Sequence, residues 1–317
     1  MLNNLRQWCA AELCLPESAL GELLPVAGDA SFRRYFRLRP EQQPSVIVMD
    51  APPDKEDSAP FLDIAGRLQH VGIHAPRILA HNLQRGWILL EDLGDTLYKS
   101  AFEQRPGSQV MAEILPVLEK LTLVDTARLP QYDEGRLQQE LDLFPQWHLA
   151  VHTKQEFTAA EQMLWQQLCG QLIDNANAQP AVFVHRDLHS CNLMEMAGKA
   201  PGVIDFQDAV LGPITYDLMS ILLDRYITWP RPQLEEWMEA FRLRVAPDVP
   251  RDTWRRWCDW MGLQRNLKII GIFARLAYRD GKTGYLSLVP RFSDYVRDVL
   301  YRYNELEPYQ ELLEPRL

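Results

Sequence analysis

The texture of this chain changes near Gly94, from short elements to long helical stretches, and that change limits the folds open to it. Before it, short stretches alternate in the manner of strands. Ser31 to Arg39 reads SFRRYFRLR, with Phe32, Phe36 and Leu38 on one face and Arg33, Tyr35 and Arg37 on the other. Val46 to Met49 is a second apolar strand, stopped by Asp50-Ala51-Pro52-Pro53, and Pro40 to Pro44 is the turn that makes the two a hairpin. Leu2, Leu5, Trp8, Cys9 and Leu13 recur at helical spacing, as do Phe61, Ile64, Ala65 and Leu68 ahead of a stop at Gly72. Two more short strands, Arg77 to His81 and Trp87 to Leu90, lead to the break Glu91-Asp92-Leu93-Gly94. Beyond it long amphipathic stretches take over, at 111–126, 157–176 and, as a pair of helices, through 254–278. The pattern predicts an α+β chain of two lobes: a small N-terminal lobe, 1–94, with an antiparallel sheet plus a helix, and a larger, mostly helical lobe, 95–317.

Two segments in the second part carry chemistry. Val182-Phe183-Val184 runs into His185-Arg186-Asp187-Leu188-His189-Ser190-Cys191-Asn192, and Gly202-Val203-Ile204 runs into Asp205-Phe206-Gln207-Asp208. Each sets an acid at the end of an apolar strand, and an asparagine follows the first acid on the same loop. Phosphoryl transfer asks little covalent chemistry of a protein; it asks for a carboxylate to orient the acceptor hydroxyl and for hard oxygen ligands to a magnesium ion. Asp187 suits the first task, and Asn192 with Asp205 the second. Asp and Asn also cluster in ordinary turns, but two such segments in this order behind a matching first lobe favour catalysis.

The motifs resemble those of the aminoglycoside phosphotransferase and choline kinase family, a branch of the protein-kinase-like bilobal fold. HRDLHSCN is similar to that family's catalytic loop, H-x-D-x-x-x-x-N, and IDFQDA followed by PITYDL to its metal-binding segment. The resemblance implies ATP and Mg2+ as cofactors. It implies that GDASFRRYFRL covers the phosphates, through Asp29, Ala30, Ser31 and Phe32, and that the backbone of Glu91 to Leu93 meets the adenine. Longer stretches (VMDAPP, LEDLGDTLY, ELDLFPQWHL and LKIIGIFARLAYRDGKTGYL) resemble one subgroup, the kinases of the anomeric hydroxyl of N-acetylmuramate and N-acetylglucosamine in peptidoglycan recycling. That implies an amino-sugar acceptor, the alternatives being choline, homoserine or an aminoglycoside.

One position departs from the pattern. Met49 stands where kinases of this fold carry a third-strand lysine, and a thioether cannot donate to phosphate. Arg33 and Arg34 are the nearest cations able to grip phosphate in its place, against the plainer reading of solvated strand charges. A nucleotide-binding pseudokinase is the alternative that Met49 raises, and the intact Asp187, Asn192 and Asp205 argue against it. Glu140, Asp224 and Arg225, polar residues within apolar segments, are candidates for sugar hydroxyls. Trp147 is a candidate for stacking on the sugar, with Phe144, Tyr226 and Trp229 divided between that role and the core. His148 and His152 share a helical spacing but lack a third ligand and read as exposed. Arg265, Lys268 and Arg275 read as salt-bridging along their helix.

Bulk properties exclude other classes. The net charge is -10, with no basic stripe to meet a nucleic acid. No apolar run approaches the roughly 20 residues that span a bilayer. The start lacks the order of a signal peptide. The five scattered cysteines contain no CxxC pair, which predicts a reducing cytoplasm without zinc or disulfides. No obligate protein partner is evident.

Overall fold

Residues 2–26 and 32–317 are described by the computed structural model. In chain order they form α1 (Leu2–Glu12), β1 (Leu24–Pro25), β2 (Arg34–Leu38), β3 (Val46–Asp50), α2 (Ala59–His70), β4 (Ile78–Asn82), β5 (Trp87–Glu91), α3 (Tyr98–Gln104) and α4 (Gly107–Leu121). Next come α5 (Glu134–Leu141), a π-helix (Phe144–Thr153), α6 (Ala159–Asn177), β6 (Ala181–Val184), β7 (Leu193–Met194), β8 (Gly202–Val203) and β9 (Val210–Pro213). The chain ends in α7 (Tyr216–Leu222), α8 (Arg231–Val245), α9 (Arg251–Asp280), α10 (Val289–Leu300) and α11 (Glu307–Leu313), with short 3-10 turns among them.

Two compact units result, 1–104 with 191–208, and 105–190 with 209–317. In the first, five strands pair in the order β1-β2-β3-β5-β4, all antiparallel. The hairpin expected of the first two apolar stretches is β2–β3, with Tyr35 opposite Met49. Leu5 and Cys9 of α1 pack on Phe36, Leu38, Val46, Val48 and Leu89, an apolar face removed from water. This unit extends past Gly94 and gains a later segment for a backbone reason. The β7–β8 hairpin docks on it as the Val203 N–H donates to the His74 carbonyl and the Glu195 N–H to the Thr96 carbonyl, both at 2.8 Å. Phe206 then stacks on Phe61 of α2, ring centres 4.9 Å apart. Gly202 makes room for the hairpin, since a Cβ there would stand 2.9 Å from Leu93 Cδ1.

The second unit is helical around the two-stranded β6–β9 ladder. Where the apolar spacing suggested a pair of helices over 254–278, a single 30-residue helix, α9, runs without a break. Its glycines are places of close approach instead: a Cβ on Gly271 would stand 2.4 Å from the Leu143 backbone. The π-helix that follows Leu143 carries His148, which is 2% exposed, stacked on Phe144 and hydrogen-bonded to the Arg316 carbonyl at 2.9 Å. His148 is therefore a core residue and not the exposed one expected. Among the described residues no helix is long and apolar enough to cross a membrane.

Candidate active site

β6 delivers the chain to His185-Arg186-Asp187, and the turn is held from below. The backbone N–H groups of His185 and Arg186 donate to the two carboxylate oxygens of buried Asp217, at 2.7 and 3.1 Å. Arg186 itself has φ +75°, a left-handed conformation costly for a branched-out side chain. Its guanidinium donates to Glu140 at 2.8 Å and lies over the Tyr132 ring. Asp187 is thereby presented outward, its side chain 56% exposed, with His189 Nε2 3.4 Å from Oδ1. Lost hydration acts to raise its carboxyl. The His189 hydrogen bond and the charges of His189, Arg225 and His185 outweigh that and hold the group well below the usual carboxylate range. A carboxylate fixed, ionised and exposed is suited to orient a hydroxyl.

In the first unit Asn192 and Asp205 come together. Asn192 Nδ2 lies 3.3 Å from Asp205 Oδ2, Gln207 donates to Asp205 Oδ1 at 2.9 Å, and the Ile204 N–H donates to the Asn192 carbonyl at 3.1 Å. Asp205 also takes a left-handed backbone, φ +64°. Among the described residues no group of three or more His, Cys, Asp and Glu could hold a metal by itself. A carboxylate and a carboxamide side by side are of the ligand types magnesium takes, with waters and phosphate oxygens as its other ligands.

Asp29, Ala30 and Ser31 lie outside the described residues. Phe32 is 64% exposed, and its N–H donates to Glu56 at 3.2 Å. Arg33 is buried and pairs with Glu56 at 3.2 Å; Arg34, half-exposed, pairs with buried Asp50. Glu91 ends β5, its carboxylate 3.3 Å from His74 Nε2 and Arg77 Nε, and Leu93 is buried. The segment after it is clamped by Arg37. That guanidinium donates to both Asp92 oxygens, at 2.7 and 2.9 Å, to Asp95 at 2.7 Å and to the Gly94 carbonyl at 3.1 Å. Sequence reasoning placed Arg37 on a strand face and did not foresee the clamp; an arginine matched by two acids in EDLGD was the available signal.

In the second unit Glu140 is buried and accepts from Arg186, from Lys268 Nζ at 2.9 Å and from the Tyr132 hydroxyl. Lys268 also reaches the Tyr216 hydroxyl at 2.9 Å, and Arg265 donates to Ser220 at 2.9 Å. These two cations point to other elements and do not bridge along α9 as expected. Asp224 accepts the Ser190 and Tyr226 N–H groups at 2.7 and 3.0 Å. Arg225 Nη2 lies against His189 Nε2. Trp147 is half-buried on the π-helix, Phe144 is fully buried, Tyr226 is exposed, and Trp229 packs against Gly107.

Burial works to raise the Glu140 carboxyl, and Lys268, the Tyr132 hydrogen bond and Arg186 together hold it below its ordinary value. Glu140→Gln strands Lys268 and Arg186 without their anion. Breaking a buried pair from one side costs about 3–5 kcal/mol, and urea denaturation followed by tryptophan fluorescence should read a loss of that order; a loss below about 1 kcal/mol would contradict the pairing. The folded carboxyl titrates below the unfolded one. The wild-type contribution is thus complete above the ordinary glutamate range, lost as pH falls through the lowered value, and missing at every pH in the variant.

A five-stranded antiparallel sheet in one unit and a mostly helical second unit make the protein-kinase-like fold. The profile of the phosphotransferase enzyme family matches residues 22–260, and this chain belongs to that family. The N-acetylmuramate/N-acetylglucosamine kinase of Pseudomonas aeruginosa is 41% identical to it, covering 96% of this chain and 94% of the relative. The enzyme of the same name from Neisseria meningitidis is also 41% identical, covering 92% and 90%. In structure the chain is similar to a choline/ethanolamine kinase family protein of Mesorhizobium loti, with a TM-score of 0.64 at 15% identity over 97% of this chain and 98% of that one. A Plasmodium vivax ethanolamine kinase gives 0.64 at 11% identity, over 88% and 83%. Those two likenesses speak to the fold.

Proposed function

We propose that this chain is a sugar kinase. It transfers the γ-phosphoryl group of ATP to the C1 hydroxyl of N-acetylmuramate and N-acetylglucosamine, giving the sugar 1-phosphates in cytoplasmic peptidoglycan recycling. The observation that carries the reading is the 41% identity, over nearly the whole of both chains, to kinases named for those two sugars. Five free thiols agree with a reducing compartment.

Asp187, ionised and fixed by its loop, accepts a hydrogen bond from the C1 hydroxyl and takes its proton as the oxygen bonds to phosphorus. Asn192 and Asp205 hold magnesium through oxygen, and the ion when bound neutralises charge on the phosphates. Arg33 lies, by strand alternation, on the face of Met49, and with Arg34 supplies donors to phosphate in place of the missing lysine. Residues 29–32 cover the phosphates, and the backbone at Glu91 and Leu93 receives the adenine on a segment kept in place by Arg37. The test is ADP release with ATP, magnesium and a panel of N-acetylmuramate, N-acetylglucosamine, choline, homoserine and kanamycin. Turnover on the two amino sugars alone is expected; turnover on choline, homoserine or kanamycin with none on the sugars would overturn the acceptor class.

A further inference from the structure

Arg225 and Arg291 stand beside the catalytic loop, and among the described residues neither guanidinium pairs with a carboxylate. Arg291 donates to the Arg225 carbonyl oxygen, and Arg225 Nη2 lies against His189 Nε2. An imidazole, neutral or protonated, bears no negative charge, so the histidine is no counter-charge. Asp187 feels the charge of Arg225 across that imidazole, and the other carboxylates at hand are engaged. Asp217 holds the N–H groups of His185 and Arg186, and Asp224 those of Ser190 and Tyr226. Behind them Arg265, 5% exposed, keeps Nη1 buried without an acceptor. Arg225 and Arg291 are part-exposed, so a ligand can reach them. Five N–H groups in a fixed fork suit a carboxylate held by two bonds.

The place of this charge matters. Arg225 touches His189, and His189 Nε2 is 3.4 Å from Asp187 Oδ1, so the fork lies one imidazole away from the carboxylate that addresses C1. The two acceptors of the proposed reaction differ at one point: N-acetylmuramate bears a lactyl carboxylate on O3, two ring carbons from C1, where N-acetylglucosamine has a hydroxyl. Building on the sugar-kinase reading, we infer that Arg225, steadied by Arg291 on its backbone, receives the carboxylate of the acidic amino sugar and sets the preference between the two acceptors.

The test is steady-state kinetics of the full chain and of Arg225→Gln and Arg225→Lys with N-acetylmuramate, its methyl ester and N-acetylglucosamine. A charge-assisted bond is worth about 10- to 100-fold. In the wild type, esterification should raise KM by a factor in that range. In Arg225→Gln the ratio of kcat/KM for N-acetylmuramate over N-acetylglucosamine should fall by the same factor, the ester penalty should vanish, and Arg225→Lys should restore part of the ratio. Wild-type indifference to the ester overturns the inference without any variant. So does an equal loss on both sugars in Arg225→Gln, which would mean that Arg225 acts only through His189. Wild-type silence on both sugars overturns the sugar-kinase reading and this inference with it, a result distinct from either.

Discussion

Asp187→Asn is expected to lower kcat by about a thousandfold or more while ATP binding stays within about twofold of the wild type. The amide keeps the size and one acceptor oxygen of the carboxylate but cannot take a proton, and general-base assistance contributes typically 10²–10⁴-fold. The loop should survive the change, because Asp187 is exposed while its fastening runs through Asp217, Glu140 and Asp224. His189 and the charges of Arg225 and His185 keep the wild-type carboxyl ionised below the usual carboxylate range. The acid limb of kcat against pH should therefore not follow an ordinary aspartate titration. Turnover of the variant within tenfold of the wild type, at unchanged nucleotide affinity, would contradict the assignment.

The second large effect belongs to Asp205. Asp205→Asn should cost about a hundred- to a thousandfold in kcat and raise the magnesium concentration for half-maximal rate at least tenfold, as expected when one carboxylate ligand of a phosphate-bound cation is lost. Asparagine is the informative replacement, since it tolerates the left-handed backbone at this position, φ +64°, better than other side chains. The fold is thus kept while the charge is removed. Magnesium titration of the ADP-release rate is the measurement. An unchanged magnesium requirement would take Asp205 out of the metal site.

How much of this was readable beforehand depended on how local the cause was. The β2–β3 hairpin follows from alternation and a proline-flanked turn within 31–49, and α2 from its apolar spacing and Gly72. Asp187 and Asp205 could be picked out as candidates because each follows its own strand. Distant partners could not be read in this way. Glu140 is buried because Arg186 and Lys268 reach it from 46 and 128 positions away, and neither separation has a period. Arg37 looked like any strand arginine until Asp92 and Asp95 closed on it. The unbroken α9 carries glycines whose cause, close packing against Leu143 and Leu223, lies far off in the chain.

The central claim is that phosphate is placed on the anomeric oxygen of an amino sugar, and phosphorus NMR of the product formed from ATP and N-acetylmuramate tests it most directly. The account predicts a sugar phosphate resonance split by coupling to the C1 proton and lost after mild acid, which cleaves glycosyl phosphates. A phosphorus signal coupled to the C6 methylene protons and stable to that acid would contradict it.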